Sequence, residues 1–133
     1  IDVATLTGAC VVALGDRYTG AFSNSDELMS KIVQASILAG ENIWRLPMGD
    51  EEYDNLNAST VADIANCGKK CGATAAARFL GEFVEKKPWV HLDIAGTSES
   101  DEDTEIYSKG GTGAATMLLY EVVKLMEKPY KSY

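Results

Sequence analysis

Short β-branched segments alternate with longer helical stripes along this chain, and that alternation constrains its fold more than any other feature. Trp89 to Ala95 (WVHLDIA) is the strongest strand pattern in the sequence, and Ile1 to Thr5 is a second, bounded by a Thr-Gly pair. Strands that lack a fully polar face and are separated by helices belong to a mostly parallel sheet covered on both sides. The expected architecture is therefore a three-layer α/β/α unit.

The helical segments carry their own punctuation. Ser25-Asp26-Glu27 supplies a cap and first-turn acids, Leu28, Ile32, Val33 and Ala35 follow at helical spacing, and Gly40 closes the helix. Cys10 to Leu14 reads either as a short helix closed by Gly15 or as another strand. Tyr18 to Phe22 alternates weakly, and Ile43 to Met48 is extended up to a proline. A polar surface helix is expected over Asp50 to Asn57, and Val61 to Ala65 reads as compact and apolar. The row Ala73, Ala76, Ala77, Leu80, Phe83 and Val84 predicts a helix with a small face lying close to a sheet, and Ala114 to Met126 predicts a strongly amphipathic one. Between them, Gly96 to Thr112 reads as a polar loop, whose acidic stretch Glu99 to Glu105 is expected to be solvated. No repeat or low-complexity linker interrupts the pattern, so one unit is expected over residues 1–133.

Composition removes several classes of function. Twelve basic against twenty acidic residues give a net charge of −8, which disfavours nucleic acid, whose phosphates require cations. No apolar run reaches the length of a membrane span. Cys10, Cys67 and Cys71 are odd in number and lack a disulfide-framework spacing, so a reducing cytoplasm is the expected setting. The chain opens Ile1-Asp2-Val3, already inside a strand pattern, and we expect an upstream portion to exist.

In open α/β sheets, ligands bind beyond the carboxyl ends of the strands. Two such ends share a vocabulary of threonine and small residues: Thr5-Leu6-Thr7-Gly8-Ala9 and Asp93-Ile94-Ala95-Gly96-Thr97-Ser98. Each reads as a tight turn that needs glycine, or as exposed main chain that a substrate approaches closely. The loop Cys67 to Gly72 is either an anion site at a helix start or a glycine-bounded entry to a tightly packed helix. Its cysteines fall within range of some zinc spacings, but with one histidine and one further cysteine in the chain a structural zinc site is a remote reading. His91 and Asp93 share a strand face and are placed to interact; a satisfied core histidine is the expected role.

Asp2 to Leu14 (DVATLTGACVVAL), Trp44-Arg45-Leu46-Pro47, Ala62 to Gly68 (ADIANCG) and Trp89 to Gly96 (WVHLDIAG) together resemble, in order and spacing, the leucyl aminopeptidase family of cytosolic metallo-exopeptidases. The resemblance spans essentially the whole chain. It implies the C-terminal part of an α/β/α catalytic domain, assembled as a homohexamer, that releases N-terminal leucine-like residues from peptides with two divalent metal ions, zinc or manganese. The family's metal ligands lie in a Lys-Gly…Asp-Thr-Gly-Gly segment and an Asn-Thr-Asp-Ala-Glu-Gly-Arg segment, and neither occurs here. No catalytic or metal-ligating residue is therefore expected in this chain, and alone it should be inactive.

What the resemblance carries over is a substrate cradle. The Leu6 carbonyl and Gly8 amide would bond the peptide backbone. Thr5, Gly8, Ala95 and Ser98 would line the pocket for the N-terminal side chain, and Cys67 the pocket for the next residue. The family often has a larger apolar residue where Ser98 stands. It commonly reads Gly-x-Thr-Gly-Arg-Pro where this chain has Gly110-Gly111-Thr112-Gly113-Ala114-Ala115. The alternative is a noncatalytic α/β module for assembly or ligand binding.

Overall fold

The computed structural model describes residues 1–57, 59–67 and 72–127. Its first strand, β1 (Asp2–Ala4), runs through a Thr-rich turn into helix α1 (Gly8–Leu14). Thr7 caps that helix by accepting the Cys10 N–H at 3.1 Å, and Gly15 ends it at φ 68°. The helical reading of Cys10 to Leu14 is thus the one realised. Strand β2 (Thr19–Ser23) is buried along its whole length. Helix α2 (Asp26–Ala39) follows, with Ser25 accepting the Leu28 N–H and Gly40 in the left-handed conformation that glycine adopts without steric cost.

Next come β3 (Ile43–Arg45), α3 (Glu51–Leu56), α4 (Ala73–Gly81), β4 (Val90–Asp93), the two short strands β5 (Glu99–Ser100) and β6 (Gly110–Gly111), and α5 (Thr116–Met126). One segment differs from the sequence expectation. Val61 is 94% exposed, so the segment from Val61 to Ala65 is not a buried apolar element. Within the polar loop from Gly96 to Thr112, β5 and β6 pair antiparallel, while residues 101–109 between them are exposed. Lys128 and Lys131, near the chain end, lie outside the described residues.

The main sheet has the order β1-β4-β2-β3. β1 pairs with β4 in parallel, as does β2 with β3, while β2 and β4 run antiparallel. The sheet is mostly parallel, as the sequence pattern requires. Helices α2 and α5 pack together on one face, closing a core of Met29, Ile32 and Ala35 with Leu118 and Val122 over Ala21, Val90 and Leu92. Helix α1 packs against β2 and α4 on the other side. Contact there is tight: a Cβ on Gly20 would stand 2.6 Å from the Cys10 sulfur. Helix α5 begins without a side-chain cap of its own, at Ala115 with φ 68°. Its free N–H groups are taken by Glu41, whose carboxylate accepts from Ala115, Met117 and Leu118.

Candidate functional site: the paired tips of β1 and β4

Because β1 and β4 are parallel neighbours with Ala4 opposite Asp93, their carboxyl ends lie side by side. The chain's two Thr/Gly-rich tips, nearly ninety residues apart in sequence, are joined there by a single side chain. Asp93 Oδ1 accepts the N–H groups of Leu6 at 3.1 Å, Thr7 at 3.4 Å and Ala95 at 3.2 Å, and its Oδ2 accepts the Thr7 hydroxyl at 2.7 Å. The β4 tip then turns, with Thr97 and Ser98 both donating to the Ile94 carbonyl. Thr19 and Thr97 share a hydroxyl–hydroxyl bond of 2.8 Å beside it.

A cleft of about 320 Å³ opens against the β1 tip, lined by Leu6, Thr7, Gly8 and Ala9 from β1–α1, Asn66 and Cys67 from the following loop, and Gly72, Ala75 and Ala76 from the start of α4. Of the residues singled out from sequence, Leu6, Gly8 and Cys67 therefore meet in one cavity. Thr5, Ala95 and Ser98 stand at the neighbouring strand ends and are not part of its lining. Among the described residues, neither the Leu6 carbonyl nor the Gly8 N–H has a partner within the chain. Unpaired main-chain groups beside a cleft are available to a ligand's backbone. Sequence reasoning missed Asn66, Ala75 and Ala76; the alanine face of α4 was legible as close packing, but not as a cavity wall.

Cysteine chemistry needs correction. Cys67 is disulfide-bonded, so it is not the free thiol expected of a reducing setting, and it cannot serve as a thiolate ligand. An odd cysteine count leaves one thiol over but does not forbid a pair, which is why the count misled. Cys71 and Gly68 to Lys70, the rest of the candidate anion loop, lie outside the described residues. Cys10 is free and buried, and its S–H reaches the Asp93 carbonyl at 3.8 Å. Burial first, and the Asp93 charge second, push its thiol pKa up, which keeps it protonated and unreactive.

His91 does not pair with Asp93. Its Nδ1 lies 2.6 Å from Asp2 Oδ1, and the Trp89 indole N–H donates to Asp2 Oδ2 at 2.5 Å. The imidazole is fully buried and stacks near Phe22 and Trp89, while its Nε2 has no partner among the described residues. Sharing a face was a correct inference; register decided otherwise, because Asp2 is the residue directly across from His91. Burial raises the Asp2 carboxyl pKa, but the hydrogen bond and charge of His91 and the Trp89 N–H outweigh it, and the net shift is downward. A carboxyl depressed in the folded state adds stability above its ordinary pKa and loses it as the pH falls through the folded value. Asp2→Asn should therefore lower the urea midpoint at pH 7, and the gap to the unaltered protein should close in acid below the usual carboxylate range. A gap that stayed constant with pH would contradict this.

The donor set does not fit a metal centre. Among the described residues no three His, Cys, Asp or Glu side chains are grouped to hold an ion. Asp93 spends its carboxylate on four donors and His91 is committed to Asp2. Nor, among the described residues, is any helix long and apolar enough to cross a membrane.

An α/β/α unit that presents free main-chain groups and a cleft at adjoining strand ends belongs to the ligand-binding class of open-sheet proteins. Comparison with known proteins makes the assignment specific. Residues 1–120 match the family described as the cytosol aminopeptidase family, catalytic domain, and the chain belongs to it. A probable cytosol aminopeptidase of Alkaliphilus metalliredigens is 50% identical over 129 residues, covering 96% of this chain and 26% of the relative. One from Picosynechococcus is 51% identical over 114 residues, covering 85% and 23%. The bottromycin maturation enzyme BotP in complex with Mn superposes with a TM-score of 0.88 at 43% identity, covering 96% of this chain and 28% of that one. A tomato leucine aminopeptidase mutant gives 0.83 at 44%, covering 92% and 23%. The chain thus spans about a quarter of the length of the relatives it matches.

Proposed function

We propose that residues 1–133 are the C-terminal portion of the catalytic domain of a metal-dependent aminopeptidase, which releases N-terminal, leucine-like residues from peptides in the cytoplasm. In this reading the chain supplies the substrate grip. The Leu6 carbonyl and Gly8 N–H bond the peptide main chain, Thr5, Gly8, Ala95 and Ser98 border the N-terminal side chain, and Cys67 borders the next one. The observation that carries the reading is the coincidence of the family match with two main-chain groups beside the cleft that have no partner among the described residues. Two divalent ions, zinc or manganese, would be held by sequence outside this chain, since no donor set among its described residues fits them. No step of the chemistry is therefore assigned to residues here beyond binding and orienting the peptide. Homohexameric assembly belongs to the same proposal.

The test compares the full-length parent with the isolated chain on a leucyl anilide. The parent should hydrolyse it with zinc or manganese and lose that activity to a chelator, and the isolated chain should show none. Metal-dependent turnover by the pure chain, or an inert metal-loaded parent, would refute the assignment. Inertness in the parent together with ligand binding at the cleft would instead favour a noncatalytic module.

A further inference from the structure

We propose that Asp93 is a positioning residue, which decides which main-chain groups at the β1 tip face a peptide and which are withdrawn. The role rests on the functional reading above, but Asp93 itself is assigned no contact with substrate.

Its surroundings explain why. The carboxylate is 1% exposed, and none of the ion pairs among the described residues includes it. A buried carboxylate without a cation survives only if hydrogen bonds replace water. Asp93 obtains them from both tips at once: Leu6 N, Thr7 N and Thr7 Oγ1 on one side, Ala95 N on the other. The Thr7 hydroxyl extends the link, since it donates to Asp93 and accepts from Cys10 N, the start of α1.

The Leu6 and Thr7 N–H groups are spent on Asp93, and the Cys10 N–H is spent on Thr7. Among the described residues, the Gly8 N–H is left over between them, as is the Leu6 carbonyl. One carboxylate thereby converts a run of equivalent amides into a selected donor and a selected acceptor. Without it, the Leu6 and Thr7 amides would seek water or substrate themselves, and the peptide would meet competing registers.

The experiment uses Asp93→Asn in the full-length parent. The amide preserves shape and one acceptor oxygen but cannot accept the Thr7 O–H at its nitrogen. Kinetics on a leucyl peptide and hydrogen exchange of the Leu6, Thr7 and Ala95 amides are measured together. We expect KM to rise about tenfold with kcat changed far less, the mark of lost uniform binding, and those three amides to exchange faster. Should Asp93→Asn fail to fold, Thr7→Val takes its place, removing the Oδ2 donor together with the α1 cap on the Cys10 N–H, and a KM rise of about threefold is expected. Unchanged KM in a folded variant overturns the proposal, as does an equal fall in kcat and kcat/KM. A wild-type parent that hydrolyses nothing overturns the functional reading, whereas active wild type with unaltered constants in Asp93→Asn removes this inference alone.

Discussion

Gly96→Ala should destabilise the protein by about 3 kcal/mol, the upper part of the range for forcing a methyl into filled space. A Cβ at that position would lie 2.1 Å from the Gly15 carbonyl oxygen and 3.2 Å from its carbon. Both obstacles are backbone, so no rotamer change relieves them. Gly15 cannot easily retreat, because it closes α1 at φ 68° and donates its N–H to Val11. Gly96 cannot either, since it sits inside the turn in which Thr97 and Ser98 donate to Ile94. Urea denaturation of the full-length parent or of the chain would read the effect. Gly111→Ala is the control: nothing lies within 4 Å of its added methyl. Equal losses from the two substitutions would mean that the β4 tip and the α1 turn yield freely.

Glu41→Ala should cost about 2 kcal/mol, the scale of charge-assisted hydrogen bonds lost from a helix terminus. The carboxylate accepts from Ala115, Met117 and Leu118, the last at 3.1 Å. Ala115 offers no side-chain cap in its place. Leu118 and Val122 of α5 belong to the core beneath α2, so loosening the first turn also strains packing. Glu41→Gln retains an acceptor oxygen but not the charge, and should lose about half as much. If the alanine variant melts with unchanged midpoint, water caps this helix as well as Glu41 does.

At this helix start the resemblance would lead one to expect Gly-Arg-Pro, where this sequence has Gly113-Ala114-Ala115 with Ala115 left-handed. Proline's ring restricts φ to near −65°, so a family member with proline there must enter the helix by another path. The sequence showed the substitution; only the backbone shows what it permits.

Local signals proved dependable wherever a few neighbouring residues decide the outcome. Ser25 and Gly40 bracket α2 because a cap and a left-handed glycine act within one helical turn. The amphipathic stripe of α5 buries Leu118 and Val122, and the apolar residues of β4 build the core, because burial follows periodicity. The Thr/Gly-rich runs at 5–9 and 93–98 were legible for a related reason: strand ends written in small residues are visible locally.

Tertiary structure decided whatever depended on partners far along the chain. No local pattern says that β4 inserts between β1 and β2, or that it runs antiparallel to β2, because strand order arises from packing whole layers. That insertion gives Asp2 to His91 and hands Asp93 to Leu6, Thr7 and Ala95, whereas alternation alone pointed to a His91–Asp93 pair. The residue types at the two tips were written in the sequence. Their meeting on one buried carboxylate was not, since a sheet face is shared by every second residue and only register selects which of them touch.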